Sequence, residues 1–327
     1  MIISRAPLRI SFFGGGTDFP EYFSKESGAV LATAIDKYSY VTASTFHSHL
    51  FDYAVRISYS KGELAKTIED IQHPVFRECL RFCGLAKDIE LHTVADLPSF
   101  TGLGSSSSFT VALLKALHAY KGEYVTPLQL AYEAIYIERD VLKECVGVQD
   151  QTTAAVGGFN LLEFRAKDDI RVHPLALTAS RTREFEEHLL LLFTGIKRQA
   201  QTIERVKLEN FEVKRELLRS MKKMVEKGCE ILQTGVSLAN FGELLREAWV
   251  SKRRLAAAVT NDEIDRLYAL GLAEGAWGGK LLGAGGGGFM LFMAPPETHA
   301  RLRRAFAGHH LVSCKINAPG ADIIFAG

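Results

Sequence analysis

Residues 98–108, PSFTGLGSSSS, constrain this chain more than any other stretch. Gly102 and Gly104 admit backbone angles closed to residues with a Cβ and let a ligand come close to the main chain. The run FTVALLKALHAY that follows the serines carries apolar residues at helical spacing, so the loop feeds a helix N-terminus. A helix start offers unpaired N–H groups and the positive end of its dipole, and phosphate is the commonest biological anion bound there. No Gly-Lys-Ser/Thr closes the run, so it is not a Walker A loop.

The chain has 327 residues, room for two domains of ordinary size. A formal net charge of +1 gives no global electrostatic case for nucleic acid or an acidic membrane. Five cysteines, an odd and scattered set, argue against a disulfide framework and for a reducing compartment. No apolar window approaches a membrane span, so a cytoplasmic protein is expected, with a homodimer possible.

Residues 1–13 read as a strand broken by GGGTD, with a short helix beginning in DFPEYF. Strands are expected around 30–44 and 56–60, a helix over 61–84, and a strand over 89–98 that delivers the chain into the loop. Thr126, Pro127 and Gln129 punctuate the start of a helix expected to run to about Lys143. The cluster VGVQDQTTAAVGGF reads as turn, short helix, turn and strand. A composition shift near 165–185 marks the inter-domain region, giving domains 1–175 and 176–327. A buried strand at 188–195 precedes a long helix over 200–233. Between Lys197 and Lys227, ten Lys/Arg stand against five Asp/Glu, which reads most simply as a solvated helix face. Helices near 240–258 and 261–275 lead to a third glycine cluster, GGKLLGAGGGG, and the buried strand FMLFM.

A kinase needs a phosphate cradle, oxygen ligands for magnesium, a group to orient or deprotonate the attacking hydroxyl, and positive charge near the transferred phosphoryl. The loop supplies the cradle. Glu138 and Asp150 are the carboxylates that stand out; read alone, Glu138 is better explained as an exposed helix residue pairing with Arg139 or Lys143, and Asp150 about equally well by a helix cap. Asp18, after Gly14 to Gly16, is a candidate for sugar hydroxyls or for capping a helix. Gly285 to Gly288 line a site or pack a strand against a helix, and four in a row exceed what packing needs.

Together these clusters resemble the GHMP kinase superfamily, the group of galactokinase, homoserine kinase and mevalonate kinase. APLRISFFGGGTDF (6–19) looks like its N-terminal signature, PSFTGLGSSSS like its nucleotide loop, and LLGAGGGG (281–288) like its C-terminal glycine motif. The resemblance implies an α+β, two-domain GHMP kinase fold, with a ribosomal S5 domain 2-like N-terminal domain and a ferredoxin-like C-terminal domain. It implies ATP on Pro98, Gly102, Leu103, Gly104, Ser105, Ser106 and Ser107, with Mg²⁺ between Ser106 and Glu138. Asp150 falls where the family has its base and Arg9 where it has a charge-stabilising arginine. Gly15, Gly16, Thr17, Asp18, Gly285 and Gly286 fall on the substrate side.

Gly15 and Gly16 replace the Glu-His pair of galactokinases. GGGTDFPEY, GVQDQ and FTGIKRQAQTI look most like the D-glycero-D-manno-heptose 7-phosphate kinase branch, whose members phosphorylate the anomeric hydroxyl of a sugar that already carries a phosphate. Lys197 and Arg198 are then candidates to anchor that phosphate. A fucokinase- or galactokinase-like sugar 1-kinase is the alternative. An RNA-binding protein is the rival from another class, disfavoured by the near-neutral charge and the lack of interleaved surface aromatics.

Overall fold

The computed structural model describes residues 1–99, 101–196, 203–205 and 213–327. Strand β1 (Ile2–Phe13) lies antiparallel to the long β2 (Gly28–Thr45), and the sheet continues through β5 (Ile89–Ala95), β3 (Val55–Ser58) and β4 (Gly62–Ala65). The first half of β2 pairs with β6 (Phe159–Ala166), which pairs with β7 (Asp169–Pro174). Proline has no N–H to give a ladder, and the β1–β2 register shifts between Pro7 and Leu8. Pro7 pairs with Tyr38 and Leu8 with Ile35, so Asp36 and Lys37 of β2 have no β1 partner there, an irregularity of the kind at which a strand re-aims its side chains. Ala6 therefore packs in the core with the helices of the N-terminal half, whereas Leu8, Ile10 and Phe12 join a core shared with the C-terminal half. Arg9 and Ser11 are left facing a cavity.

One face of this sheet is covered by α2 (Pro74–Cys83), α3 (Ser105–Lys121), α4 (Pro127–Ile135) and α5 (Gln149–Val156); α1 (Pro20–Phe23) is a single turn. Residues 61–84 differ from the helix expected there. Gly62 follows a tight turn in which Tyr59 N donates to Lys61 O at 2.9 Å or less (2.8 Å), closing a β3–β4 hairpin, and the helix starts only at Pro74, whose missing N–H suits a first helical position. The strand expected around 56–60 is β3, whereas the four-residue β4 leaves too little period to be told from the start of a helix. The 165–185 stretch likewise holds β7 and the start of α6 (Ala179–Glu187).

A second sheet, β11 (His310–Val312), β8 (Leu189–Phe193), β10 (Phe289–Met293) and β9 (Gly278–Leu281) in that order, is entirely antiparallel. Helices α7 (Arg215–Gln233), α8 (Ala239–Arg253), α9 (Asp262–Ala273) and α10 (His299–Ala305) accompany it. The last strand, β12 (Asp322–Ala326), returns to the first sheet and pairs with β1, so the expected second segment ends in the first layer. Between the layers, the rings of Phe12, Phe159, Phe185 and Phe241 meet at centroid distances of 5.0–5.9 Å. The described part of the basic stretch is tied down: Arg219 makes a two-pronged ion pair with Glu26 at 2.6 Å. Among the described residues no helix is long and apolar enough to cross a membrane.

Phe241 is fully buried and touches Phe12, Phe13 and Phe185. Phe241→Ala should destabilise the protein by about 3–5 kcal/mol in urea denaturation. A loss below about 1 kcal/mol would show that the inter-layer aromatic cluster does not hold the layers together.

Candidate active site

The loop reaches the site wedged between the two layers. Gly102 has φ +80° and lies so close to the third glycine cluster that a Cβ would sit 2.7 Å from Leu282 O; one on Gly283 would sit 2.5 Å from Gly102 Cα. Phe289 N donates to Thr101 O at 2.9 Å, so β10 hydrogen-bonds the loop directly. Gly104, at φ +75°, is the N-cap of α3 and brings no side chain to its first-turn amides. The four serines then divide. Ser105 is nearly buried, Ser106 is exposed, Ser107 Oγ donates to Glu138 Oε2 at 2.8 Å, and Ser108 Oγ donates to Ala6 O at 2.7 Å.

Arg9 connects that loop to α5. Its Nε and Nη2 donate to the two oxygens of Asp150 at 2.7 and 2.8 Å, and Nη1 donates to Gly102 O at 2.6 Å. Its backbone N donates to Leu103 O at 2.9 Å. Arg9 is 4% exposed, while the Asp150 side chain is 25% exposed and open to the cavity. On either side of Asp150, Gln149 Nε2 donates to Asp18 Oδ2 at 2.9 Å and Gln151 Nε2 to Glu138 Oε2 at 2.5 Å. One helical turn thus addresses three carboxylates. The helix expected through Lys143 widens after Ile135 into a π-turn, Tyr136–Val141, that carries Glu138 fully buried; such turns are rare and frequent at functional sites.

Burial sets the two flanking carboxyls apart from ordinary ones. Asp18, 1% exposed, is pushed up to about 6 by loss of solvent, opposed by the Gly16 N–H on Oδ1 at 2.8 Å. Glu138 is pushed up to about 7, again mainly by burial, with the Thr110, Ser107 and Gln151 side chains pulling it back. Glu138 Oε1 has no hydrogen-bond partner among the described residues. A Cβ on Gly147 would fall 1.9 Å from Asp18 Oδ2, so glycine is needed for this carboxylate to sit where it does.

A cavity of about 460 Å³ is lined by Arg9, Asp150, Asp18, Gly15, Gly16, Gly102, Gly104 and Ser105 to Ser107, among others. The remaining sequence candidates lie elsewhere. Thr17 is buried, with Oγ1 on the carbonyls of Gly14 and Ala29; Leu103 is in the core; Pro98 accepts from Thr101 Oγ1. Gly286 N donates to Val259 O, and a Cβ on Gly285 would meet Val259 at 2.8 Å, so both glycines pack on the turn at Ala257–Val259. The third cluster meets the cavity through Gly283 and Ala284 instead. Glu138 stands behind Ser107 rather than in the cavity wall. Lys197 and Arg198 lie outside the described residues.

Among the lining residues that had no reading from sequence are His73, Glu144, Lys252 and Lys280. Lys280 Nζ, buried, donates to Phe12 O at 2.7 Å and Ser11 O at 3.1 Å, pinning β9 to the end of β1. Lys252 Nζ donates to Leu281 O at 2.7 Å and to Gly283 O, gathering the third glycine loop. A lysine inside the glycine-rich run at 278–288 was the available signal.

Residues 63–158 match the model of the GHMP kinases N terminal domain, and residues 232–310 that of the GHMP kinases C terminal domain. The chain is 35% identical over 321 residues to the D-glycero-alpha-D-manno-heptose 7-phosphate kinase of Campylobacter jejuni, covering 93% of this chain and 92% of that one. It therefore belongs to the GHMP kinases, and it is a sugar kinase among them. It is 26% identical to the bifunctional fucokinase/GDP-fucose pyrophosphorylase of Arabidopsis thaliana, over 95% of this chain and 31% of that much longer protein. A crystal structure of a D-glycero-D-manno-heptose 1-phosphate kinase from Bacteroides thetaiotaomicron superposes with a TM-score of 0.82 at 24% identity over the full length of both chains, a likeness of fold.

With both carboxyls raised from ordinary values of 3.8 and 4.5, the folded state binds protons that the unfolded chain has released. The stability they contribute is complete below the ordinary carboxylate range and is lost as pH rises through about 6 for Asp18 and about 7 for Glu138. Without nucleotide and metal, the melting temperature should fall from about pH 5 to about pH 8, and should fall less in Glu138→Gln. The same slope in that variant would show that Glu138 titrates as an ordinary glutamate.

Proposed function

We propose that this chain transfers the γ-phosphate of ATP to the anomeric hydroxyl of a heptose 7-phosphate. The substrate rests on the full-length similarity to the Campylobacter enzyme. The chemistry rests on one geometric observation: a carboxylate gripped on both oxygens by a buried arginine, in the same cavity as an uncapped helix N-terminus.

The first-turn amides of α3 and the turn at Gly102 to Gly104 hold the ATP phosphates, where a Cβ on Gly104 would come within 3.2 Å of Asp150 Oδ2. The orphaned Oε1 of Glu138 and the exposed hydroxyl of Ser106 suit Mg²⁺, which takes one or two protein carboxylates and leaves its other positions to phosphate oxygens and water. When bound, the ion neutralises charge on the transferring phosphoryl. Gly15, Gly16 and Asp18 face the sugar, and Asp18 accepts hydroxyl hydrogen bonds. As the sugar oxygen forms its bond to the γ-phosphorus and the bond to the bridging oxygen of ADP breaks, Asp150 accepts the hydroxyl proton. An aspartate suffices as the base because positioning outweighs base strength in a loose transition state. Arg9 keeps Asp150 aimed and offsets developing charge.

A second reading, a 1-kinase for an unphosphorylated sugar, is favoured by the fucokinase similarity over 95% of this chain. ADP release measured over heptose 7-phosphate, fucose, galactose, mannose and homoserine separates the two. Heptose 7-phosphate should be turned over best; turnover of unphosphorylated sugars alone would replace the first reading by the second. Asp150→Asn should retain ATP and lose about 10²–10⁴-fold in turnover. Near-normal turnover in that variant would remove Asp150 as the base.

A further inference from the structure

Asp150 sits between two glutamines engaged by two other carboxylates. Gln149 is 9% exposed and Gln151 fully buried, and each leaves its own Oε1 without a hydrogen-bond partner among the described residues. Burying an amide carbonyl unpaired is costly, since it loses its water without gaining a partner. An apolar side chain of equal length would fill either place without that cost, so packing does not account for the amides. Their N–H groups do: each bonds a carboxylate that the site uses.

We propose that the two glutamines are positioning residues for two different ligands of one reaction, Gln151 aligning Glu138 for the metal–nucleotide and Gln149 aligning Asp18 for the sugar. This rests on the kinase reading above. Glu138 accepts from Ser107 at 2.8 Å and from Gln151 at 2.5 Å, both on Oε2. Two donors on one oxygen fix the plane of the carboxylate and leave Oε1 as the atom able to meet a cation. Without Gln151 one donor remains, and the group can turn about it. Asp18 is different, with one donor on each oxygen: Gly16 N on Oδ1 and Gln149 on Oδ2. Without Gln149 the oxygen nearest Gly147 loses its only side-chain donor among the described residues. Asp150 itself is gripped by Arg9 on both oxygens, so neither change touches the base's ion pair.

Gln151→Met and Gln149→Met keep side-chain length and remove the donor. Three quantities are read on the whole chain: the melting temperature, Mn²⁺ affinity with ATP present by electron paramagnetic resonance, and KM for whichever sugar acceptor the wild type turns over. Gln151→Met should weaken Mn²⁺ binding about 10–100-fold, the range for a residue that orients a metal ligand, with sugar KM unchanged. Gln149→Met should raise sugar KM about tenfold, equivalent to about 1.4 kcal/mol, with Mn²⁺ affinity unchanged. The proposal is overturned if both variants move the same constant, or if turnover falls while neither constant moves, or if nothing moves. If either methionine variant fails to fold, the asparagine variant, one methylene too short to reach its carboxylate, is read in the same way. Wild-type protein that binds no Mn²⁺ with ATP would sink the kinase reading itself; wild-type binding with unaltered variants sinks only the positioning roles.

Discussion

One guanidinium ties the site together. Arg9 spends two donors on Asp150 and a third on Gly102 O, and its own amide bonds Leu103 O. Asp150 (the proposed base), the glycine-serine loop and the central strand are therefore fixed relative to one another by a single side chain. Lysine could not substitute, since only the planar fork reaches two carboxylate oxygens and a carbonyl at once. The pair is deeply placed on the arginine side, where removing one partner of a buried pair typically costs about 3–5 kcal/mol. Arg9 lies just past the register shift at Pro7 and Leu8, where β1 sends Leu8, Ile10 and Phe12 into the inter-layer core and Arg9 toward the cavity.

Around that clamp, backbone meets backbone where the two layers join. Gly102 and Gly283 approach too closely for a Cβ on either, and Thr101 O accepts from Phe289 N. Two buried lysines gather carbonyls from the same region, Lys280 from the end of β1 and Lys252 from the third glycine loop. The glycine clusters thus serve two purposes. They leave room for a ligand on one side, and they let main chain meet main chain on the other. Glu138 and Asp18 show the corresponding cost, two carboxyls buried beside the site and raised toward neutrality. Stability lost at functional positions is the usual accompaniment of a preorganised site.

Much of this was legible in the sequence because glycine, proline and serine have local steric meaning. The loop at 98–108 announces a helix N-terminus, Thr126 and Pro127 announce a helix start, and the fold class was implied by the family resemblance that the three clusters carry. Where signals are short or distant, reading failed. In the hairpin within 55–65 the first strand was expected, but the second, Gly62–Ala65, is too brief to show a period and was read as the start of a helix. Four serines in a row are equivalent in sequence, yet only tertiary contact decides that Ser107 faces Glu138, Ser108 faces β1 and Ser106 faces outward. Gly285 and Gly286 were indistinguishable from Gly283 until Val259 was seen to occupy their far side. Lys280 finds its partners some 270 residues back in the chain (separations of 268 and 269), a pairing no local pattern encodes.

The central claim is that a doubly held Asp150 takes the proton from a sugar hydroxyl while α3 holds the phosphates. The most direct test is single-turnover phosphoryl transfer in Arg9→Lys with ATP and acceptor both saturating. The account predicts that the chemical step slows by about 10²-fold or more, as when a positioning contact is lost, while ATP still binds. A chemical step at the wild-type rate in that variant would contradict it.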